Sequence, residues 1–100
     1  MSETTAHIAA LTGQMLEAAA AEDWQETERL AVRRAALLEA RFASLPEQEA
    51  KELAVQIASA DQALRTTALN RRAEVEQMLS EFGERRAAAR AYLDTASAEV

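Results

Sequence analysis

The chain has 100 residues, of which 49% are hydrophobic, two are glycine and one is proline, and its net charge is −6. This composition suits helices and leaves too few turn residues for a sheet, so we predict one all-α domain over residues 1–100. The negative charge argues against general nucleic-acid binding, and the absence of cysteine excludes disulfides and thiol chemistry. Without a long apolar run or a signal-peptide pattern, we expect a cytoplasmic protein that does not insert into membranes.

A short amphipathic helix is predicted over residues 4–21, because Ile8, Leu11 and Met15 recur on one face. A second helix is predicted over residues 24–44, because Asp23 and Glu26 have the spacing of a capping box. Neither glycine nor proline enforces the break between them, so one continuous helix over residues 4–44 stays open.

The second helix carries a broad apolar face that includes Leu30 and Leu37 and can contact two neighbours. Trp24 stands at its start and is the largest side chain of the chain. We therefore predict that Trp24 anchors the packing of the first two helices against the third.

A long third helix is predicted over residues 46–82. Ser44 and Glu47 have capping-box spacing, with Pro46 in the first turn. Apolar residues then recur at steps of three and four, interrupted only by Arg71: Leu53, Ile57, Ala60, Leu64, Ala68, Val75, Met78 and Phe82. The fold predicted is an antiparallel hairpin or bundle of three to four helices with this long one at its centre.

The second half of the long helix extends beyond the end of the predicted hairpin. An apolar strip on a soluble protein is seldom left bare, so we predict that it binds a partner. Together with the second helix's Leu30 and Leu37, the predicted partner-binding residues are Leu69, Val75, Met78, Leu79 and Phe82.

The segment after Gly83 is helical in character over residues 84–97 and can be read in two ways. Glycine is the usual residue of a helix C-terminal cap, so the chain can turn there and fold back over the strip. Alternatively, Glu81 and Arg85 form an acid-first pair four residues apart, which favours one continuous helix. In the first reading the segment is a regulatory tail that competes with the partner, with Arg85, Arg86, Arg90, Tyr92 and Leu93 as its contacts.

Catalytic and cofactor motifs are absent from the sequence. The single histidine, His7, has no second histidine or cysteine at a metal-binding spacing. There is also no glycine-rich phosphate loop and no nucleophile with a base. We therefore predict no enzyme activity, no metal and no cofactor.

One set of residues, spread over most of the chain, forms a recognisable combination: Met15, Leu16, Asp23, Trp24, Glu28, Arg33, Arg34, Leu37, Leu38, Asp61, the segment from Arg71 to Leu79, Gly83, Arg86, Ala91 and Tyr92. In these residues the chain resembles the FliT family of flagellar export chaperones. The resemblance implies a cytoplasmic chaperone that binds the C-terminal part of the filament-cap protein, prevents its premature assembly and delivers it to the export apparatus. It also implies possible contact with the master flagellar transcription activator, and restraint of partner binding by residues 84–100.

Two other functions stay open at this stage. A structural coiled-coil module would use the same strip for dimerisation or as an adaptor, without any export role. A regulator that acts on nucleic acid through Arg85, Arg86 and Arg90 is the weaker alternative. An exposed strip on a monomer favours the chaperone, whereas burial of the strip in a symmetric homodimer favours the structural module.

Overall fold

A computed structural model describes residues 2–98 of the chain, with side chains up to residue 96. Its helices are α1 (Glu3–Ala20), α2 (Trp24–Arg41) and α3 (Glu47–Ala98), and a short 3-10 turn (Phe42–Ser44) lies between α2 and α3. No strand occurs in this part of the chain. The predicted all-α class and the long central helix are confirmed.

The chain divides into two units, Met1–Ala68 and Leu69–Val100. In unit 1, α1, α2 and the first part of α3 pack together. In unit 2, the described residues belong to the continuation of α3 alone. Every side chain from residue 72 to residue 96 is exposed, so unit 2 has no packed interior.

The turn between α1 and α2 is a Schellman motif, and it settles the question of one helix or two. The backbone N–H of Asp23 donates to the Ala18 carbonyl at 2.9 Å, and that of Glu22 donates to the Ala19 carbonyl at 3.0 Å. Glu22 adopts the left-handed conformation that this motif needs, with φ of 61°. The Asp23 carboxylate then accepts from the Glu26 N–H at 3.1 Å, so the predicted N-cap of α2 is confirmed.

The predicted cap of α3 is wrong in detail. Ser44 lies in the 3-10 turn, and its hydroxyl donates to the Arg41 carbonyl at 2.8 Å instead of capping the next helix. Pro46 lies just before the first turn, and its carbonyl accepts from the Ala50 N–H at 2.9 Å. Because proline disfavours the helical conformation of the residue before it, the chain is extended at Leu45 and α3 begins only at Glu47.

The core of unit 1 lies along α1. Leu11 and Met15 of α1 and Leu30 of α2 form a buried cluster, against which Leu37 and Leu64 pack. The side chains of Ile8 and Leu53 are the largest that are fully buried. The apolar spacing that predicted these helix faces therefore identified the buried sides correctly.

Trp24 is not the predicted core anchor. As the first residue of α2, it stands next to the turn between α1 and α2, and 37% of it is exposed. The smaller aliphatic side chains in the middle of α1 and α2 fill the core instead.

A buried arginine joins the three helices of unit 1. Arg34 of α2 is 8% exposed, and its guanidinium donates to Oδ1 of Asp61 in α3 at 2.8 Å. A second, longer hydrogen bond of 3.4 Å reaches Oγ1 of Thr12 in α1, which in turn donates to the Ile8 carbonyl. Since a buried guanidinium must be paired, this contact fixes where the helices meet.

The beginnings of α1 and α3 are joined by a second polar contact. The Ser2 backbone N–H donates to the Glu49 carboxylate, and the Ser2 hydroxyl caps α1 by accepting from the Thr5 N–H at 3.2 Å. Hydrogen bonding from the Ser2 N–H, with help from the hydroxyls of Thr5 and Ser2, lowers the pKa of Glu49. Together with the contacts of Arg34 to Thr12 and Asp61, this contact shows that α1 and α3 run in the same direction. The short connections on either side of α2 make it antiparallel to both.

Gly83 does not end α3. The helix continues through it to Ala98, so the separate fourth helix and the fold-back over the strip do not occur in the structure. No glycine in the described chain has a positive φ, and a Cβ on Gly83 would meet nothing within 4 Å. The alanine-rich segment that follows has high helix propensity, which outweighs the roughly 1 kcal/mol that one glycine costs in a helix.

Within residues 2–98, no helix combines the length and the apolar character that crossing a bilayer would require.

Candidate functional site

An exposed apolar strip runs along α3 within unit 2. It consists of Val75, Met78, Leu79, Phe82 and Leu93, which we call the α3 strip. At about 100° per residue, these five positions fall within a sector of about 100° on the helix surface. Phe82 and Leu79 are 64% and 66% exposed, far more than core side chains of their size.

Four of the predicted partner-binding residues therefore lie together, namely Val75, Met78, Leu79 and Phe82. Leu69 is also exposed, but the helical periodicity places it on the flank of α3, well outside the strip. Leu30 is 2% exposed and belongs to the core of unit 1. Leu37 is half-buried and packs against the same core, so only part of its side chain is open to a partner.

The predicted tail residues extend the strip instead of covering it. Leu93 lies on the same side of α3 as Val75, whereas Tyr92 lies beyond the edge of the strip. Both are exposed. In this conformation the strip is open along its whole length.

Positive charge lies on and beside the α3 strip. Arg71 and Arg86 occupy the same side of the helix as the strip, before Val75 and after Phe82 respectively. Arg71 is 3.4 Å from the Glu74 carboxylate, which is a long ion pair. Among the described residues, Arg85, Arg86 and Arg90 have no carboxylate within ion-pair distance.

Sequence reasoning missed a groove in unit 1, between α1 and α3. It has a volume of about 540 Å³ and is lined by Leu16 and Gly13 of α1 and by Val55 and Ala63 of α3, among others. Val55 is exposed although it stands in the middle of a packed helix. The spacing of the core-facing stripe gave no signal for this groove, because Val55 lies about 160° around the helix from Leu53 and Ile57.

Nothing in the described part of the chain resembles a metal centre. The structure groups no three His, Cys, Asp or Glu side chains there closely enough to hold an ion. His7 lies on the exposed side of α1. What the arrangement offers chemically is apolar contact area flanked by arginines.

Comparison with protein families gives a match over most of the chain. A family model described as "Flagellar protein FliT" matches residues 2–94. The match spans α1, α2 and nearly all of α3, so it includes both the core of unit 1 and the α3 strip. The searches of the curated proteins and of the solved structures found no match to the chain.

Proposed function

Because the chain belongs to the FliT family of flagellar proteins, we propose that it is a cytoplasmic chaperone of flagellar protein export. Its client is the C-terminal part of the filament-cap protein, which it keeps from assembling early and delivers to the export apparatus. It works by binding and not by catalysis. The observation that carries this proposal is the α3 strip, an apolar surface that unit 2 leaves exposed.

The size of the strip suits a contact that must be released. Complete burial of an aliphatic or aromatic side chain contributes about 1.5–3 kcal/mol. Since the strip residues are already partly covered, burying the exposed parts of Val75, Met78, Leu79 and Phe82 would contribute about 3–6 kcal/mol in all. The loss of translational and rotational freedom consumes about 4 kcal/mol or more of this, so apolar contact alone gives weak, reversible binding.

The test is calorimetry of the full chain with a C-terminal fragment of the filament-cap protein. Val75→Asp and Leu79→Asp should each abolish binding, because they place an unpaired charge in an apolar contact. Val32→Asp is the matched control, since Val32 is 65% exposed, close to the 66% of Leu79, but lies on α2. Circular dichroism should show the same helix content in all four proteins. Unchanged affinity in both strip variants would contradict the proposed site.

A structural role is the second candidate. The α3 strip has the spacing of three and four residues with which helices pair, so a second copy of the chain can bury it. Sedimentation equilibrium separates the two functions. A stable homodimer that Val75→Asp dissociates would favour a dimerisation module or adaptor, whereas a monomer with an open strip supports the chaperone.

Contact with the flagellar transcription activator is a further part of the family resemblance. We propose that any such contact uses the same strip and therefore competes with the client.

A further inference from the structure

The arginines before Val75 are already engaged within their own chain. Arg71 lies 3.4 Å from the Glu74 carboxylate, which is one of its interactions. Arg72 donates to the Glu76 carboxylate at 3.1 Å. This end of the α3 strip therefore presents no arginine that needs an acceptor from another molecule.

The arginines after Phe82 are in a different situation. On a helix, a side chain pairs with the neighbours three and four positions away. For Arg86 none of these neighbours is acidic, since they are Phe82, Gly83, Ala89 and Arg90. Among the described residues, no carboxylate lies within ion-pair distance of Arg86 or of Arg90.

Arg86 and Arg90 also repel each other. They are four residues apart, a spacing at which two like charges destabilise a helix. Asp94 follows Arg90 by four positions, but the basic-first order is the weaker one, and the structure contains no ion pair there. Arg85 adds a third positive charge, because the Glu81 carboxylate accepts from a glutamine instead. An acidic group from another molecule would relieve this repulsion.

Both arginines lie where a bound helix must pass. At about 100° per residue, Arg86 is about 20° and Arg90 about 60° around α3 from Val75, so one is on the α3 strip and the other at its edge. A helix that covers the strip as far as Leu93 takes water from the guanidinium N–H groups, which then need acceptors. Carboxylates match the planar fork of arginine and form its strongest hydrogen bonds.

A second copy of the chain does not supply carboxylates to this end of the strip. In a parallel pair, Arg86 and Arg90 face their own counterparts. In an antiparallel pair centred on the apolar residues from Val75 to Phe82, Arg86 faces Arg71 of the other copy, whose neighbouring carboxylate is already engaged. A nucleic acid is also a poor match, because the arginines stand among apolar side chains in a chain of net charge −6.

We propose that Arg86 and Arg90 bind the acidic end of an amphipathic client helix and thereby fix the direction in which that helix lies on the α3 strip. For a client with carboxylates at only one end of its apolar face, the two ends of the strip are not equivalent. Reversing the helix would move its carboxylates away from the two arginines and towards Glu74 and Glu76, which opposes binding. This inference rests on the proposed function, because it specifies the chemistry of the client segment.

The probes are three synthetic amphipathic peptides of about 20 residues that share one apolar face. Two Glu residues stand four positions apart at the N-terminal end of the first peptide and at the C-terminal end of the second, and the third peptide has Gln at all these positions. The Kd for the full chain is measured by fluorescence anisotropy. For each peptide, the Kd for the Arg86→Gln with Arg90→Gln variant is divided by the Kd for the unaltered chain. The peptide's own helix propensity cancels in this ratio.

We expect the double variant to bind both Glu peptides about fivefold more weakly than the unaltered chain does, a loss that two partly exposed ion pairs account for. Its affinity for the Gln peptide should be unchanged. The matched control is Arg33→Gln with Arg41→Gln, which removes the same charge from exposed positions of α2 and should change each affinity by less than about twofold. Circular dichroism should show that α3 stays helical in both variants.

The direction of binding is read from a nitroxide label at the N-terminus of each Glu peptide, which broadens nearby backbone amide signals. The label should broaden signals near Arg90 when the Glu residues are N-terminal, and signals near Leu69 when they are C-terminal. The same broadening pattern for both peptides would overturn the proposal. An equal loss for the Glu and Gln peptides would also overturn it, as would the absence of measurable binding by any peptide, a homodimer that Val75→Asp dissociates, or displacement of the Glu peptides by a DNA duplex.

Failure of this inference is distinguishable from failure of the proposed function. If the filament-cap fragment binds and Val75→Asp abolishes that binding while the peptides show no dependence on Arg86 and Arg90, the chaperone function stands and the direction rule is wrong. If the fragment does not bind but the peptides behave as expected, the proposed client is wrong and the chemistry of the strip stands.

Discussion

The Arg34–Asp61 pair gives the sharpest test of how unit 1 is held together. The Arg34 side chain is 10% exposed and that of Asp61 is 36% exposed, and the two are joined at 2.8 Å. Asp61→Ala removes the acceptor and leaves a nearly buried guanidinium with only the long bond to Thr12. Removing one partner of a fully buried pair costs about 3–5 kcal/mol. Because water can reach the Asp61 position, we expect the loss to be smaller, about 2–3 kcal/mol.

Arg34→Met should cost much less, about 1 kcal/mol or below, because it removes the buried charge and keeps the apolar stem. The double variant Arg34→Met with Asp61→Ala should then be more stable than Asp61→Ala alone. The measurement is urea denaturation followed by the fluorescence of Trp24, the only tryptophan, which reports on unit 1.

The control pair is Arg72 and Glu76, which is exposed on α3 and has a separation of 3.1 Å. Glu76→Ala should change the free energy of unfolding by less than about 0.5 kcal/mol. If Asp61→Ala costs no more than Glu76→Ala, or no more than Arg34→Met, the buried pair does not hold the helices as described.

Three further predictions concern single positions. Glu22→Gly should be more stable than Glu22→Ala by about 1 kcal/mol in urea denaturation, because both variants remove the side-chain interaction of Glu22 and only alanine keeps the cost of a left-handed L-residue; equal stability of the two variants would contradict this. Trp24→Ala should cost less than the roughly 3 kcal/mol of a buried tryptophan, and a larger fall in thermal stability would mean that Trp24 is an anchor after all. The pKa of Glu49 is lowered in the folded chain by the Ser2 N–H, so its contribution to stability is present above the unfolded-state pKa and is lost as the pH falls through the folded-state pKa. Glu49→Gln should therefore flatten the acid side of the stability profile, and an unchanged profile would contradict this.

The sequence predicted the helices well because their signals are local. Asp23 and Glu26 mark the start of α2 by a hydrogen bond between residues only three positions apart, and the structure contains that bond. The apolar spacing of α1 likewise identified Ile8, Leu11 and Met15 as buried. The exposure of Val75 to Phe82 followed from chain length, since a short hairpin cannot cover so long a helix.

The sequence was less informative where the outcome depends on the relative position of two helices. A simple antiparallel return at Leu45 would place Arg34 level with Ile57, yet it pairs with Asp61, one helical turn later. A 3-10 turn and the extended Leu45 separate the two helices; Pro46 accounts for the extended residue, but the sequence did not predict the 3-10 turn. The left-handed conformation of Glu22 was not predicted either, because glycine is the usual residue at that position of a Schellman motif.

The uninterrupted passage of α3 from unit 1 into unit 2 changes how the exposed half of the helix forms. An isolated helix must first form a nucleus, and this unfavourable step lowers its population by a factor of about a thousand. The turns of α3 that are packed in unit 1 already provide that nucleus, so the residues beyond Ala68 need only propagate it. The α3 strip is consequently helical before a client binds. Its backbone amide hydrogen bonds are least stable at the end farthest from unit 1. A client that lengthens the ordered part would be detected as slower amide hydrogen exchange that progresses from Leu69 towards Leu93.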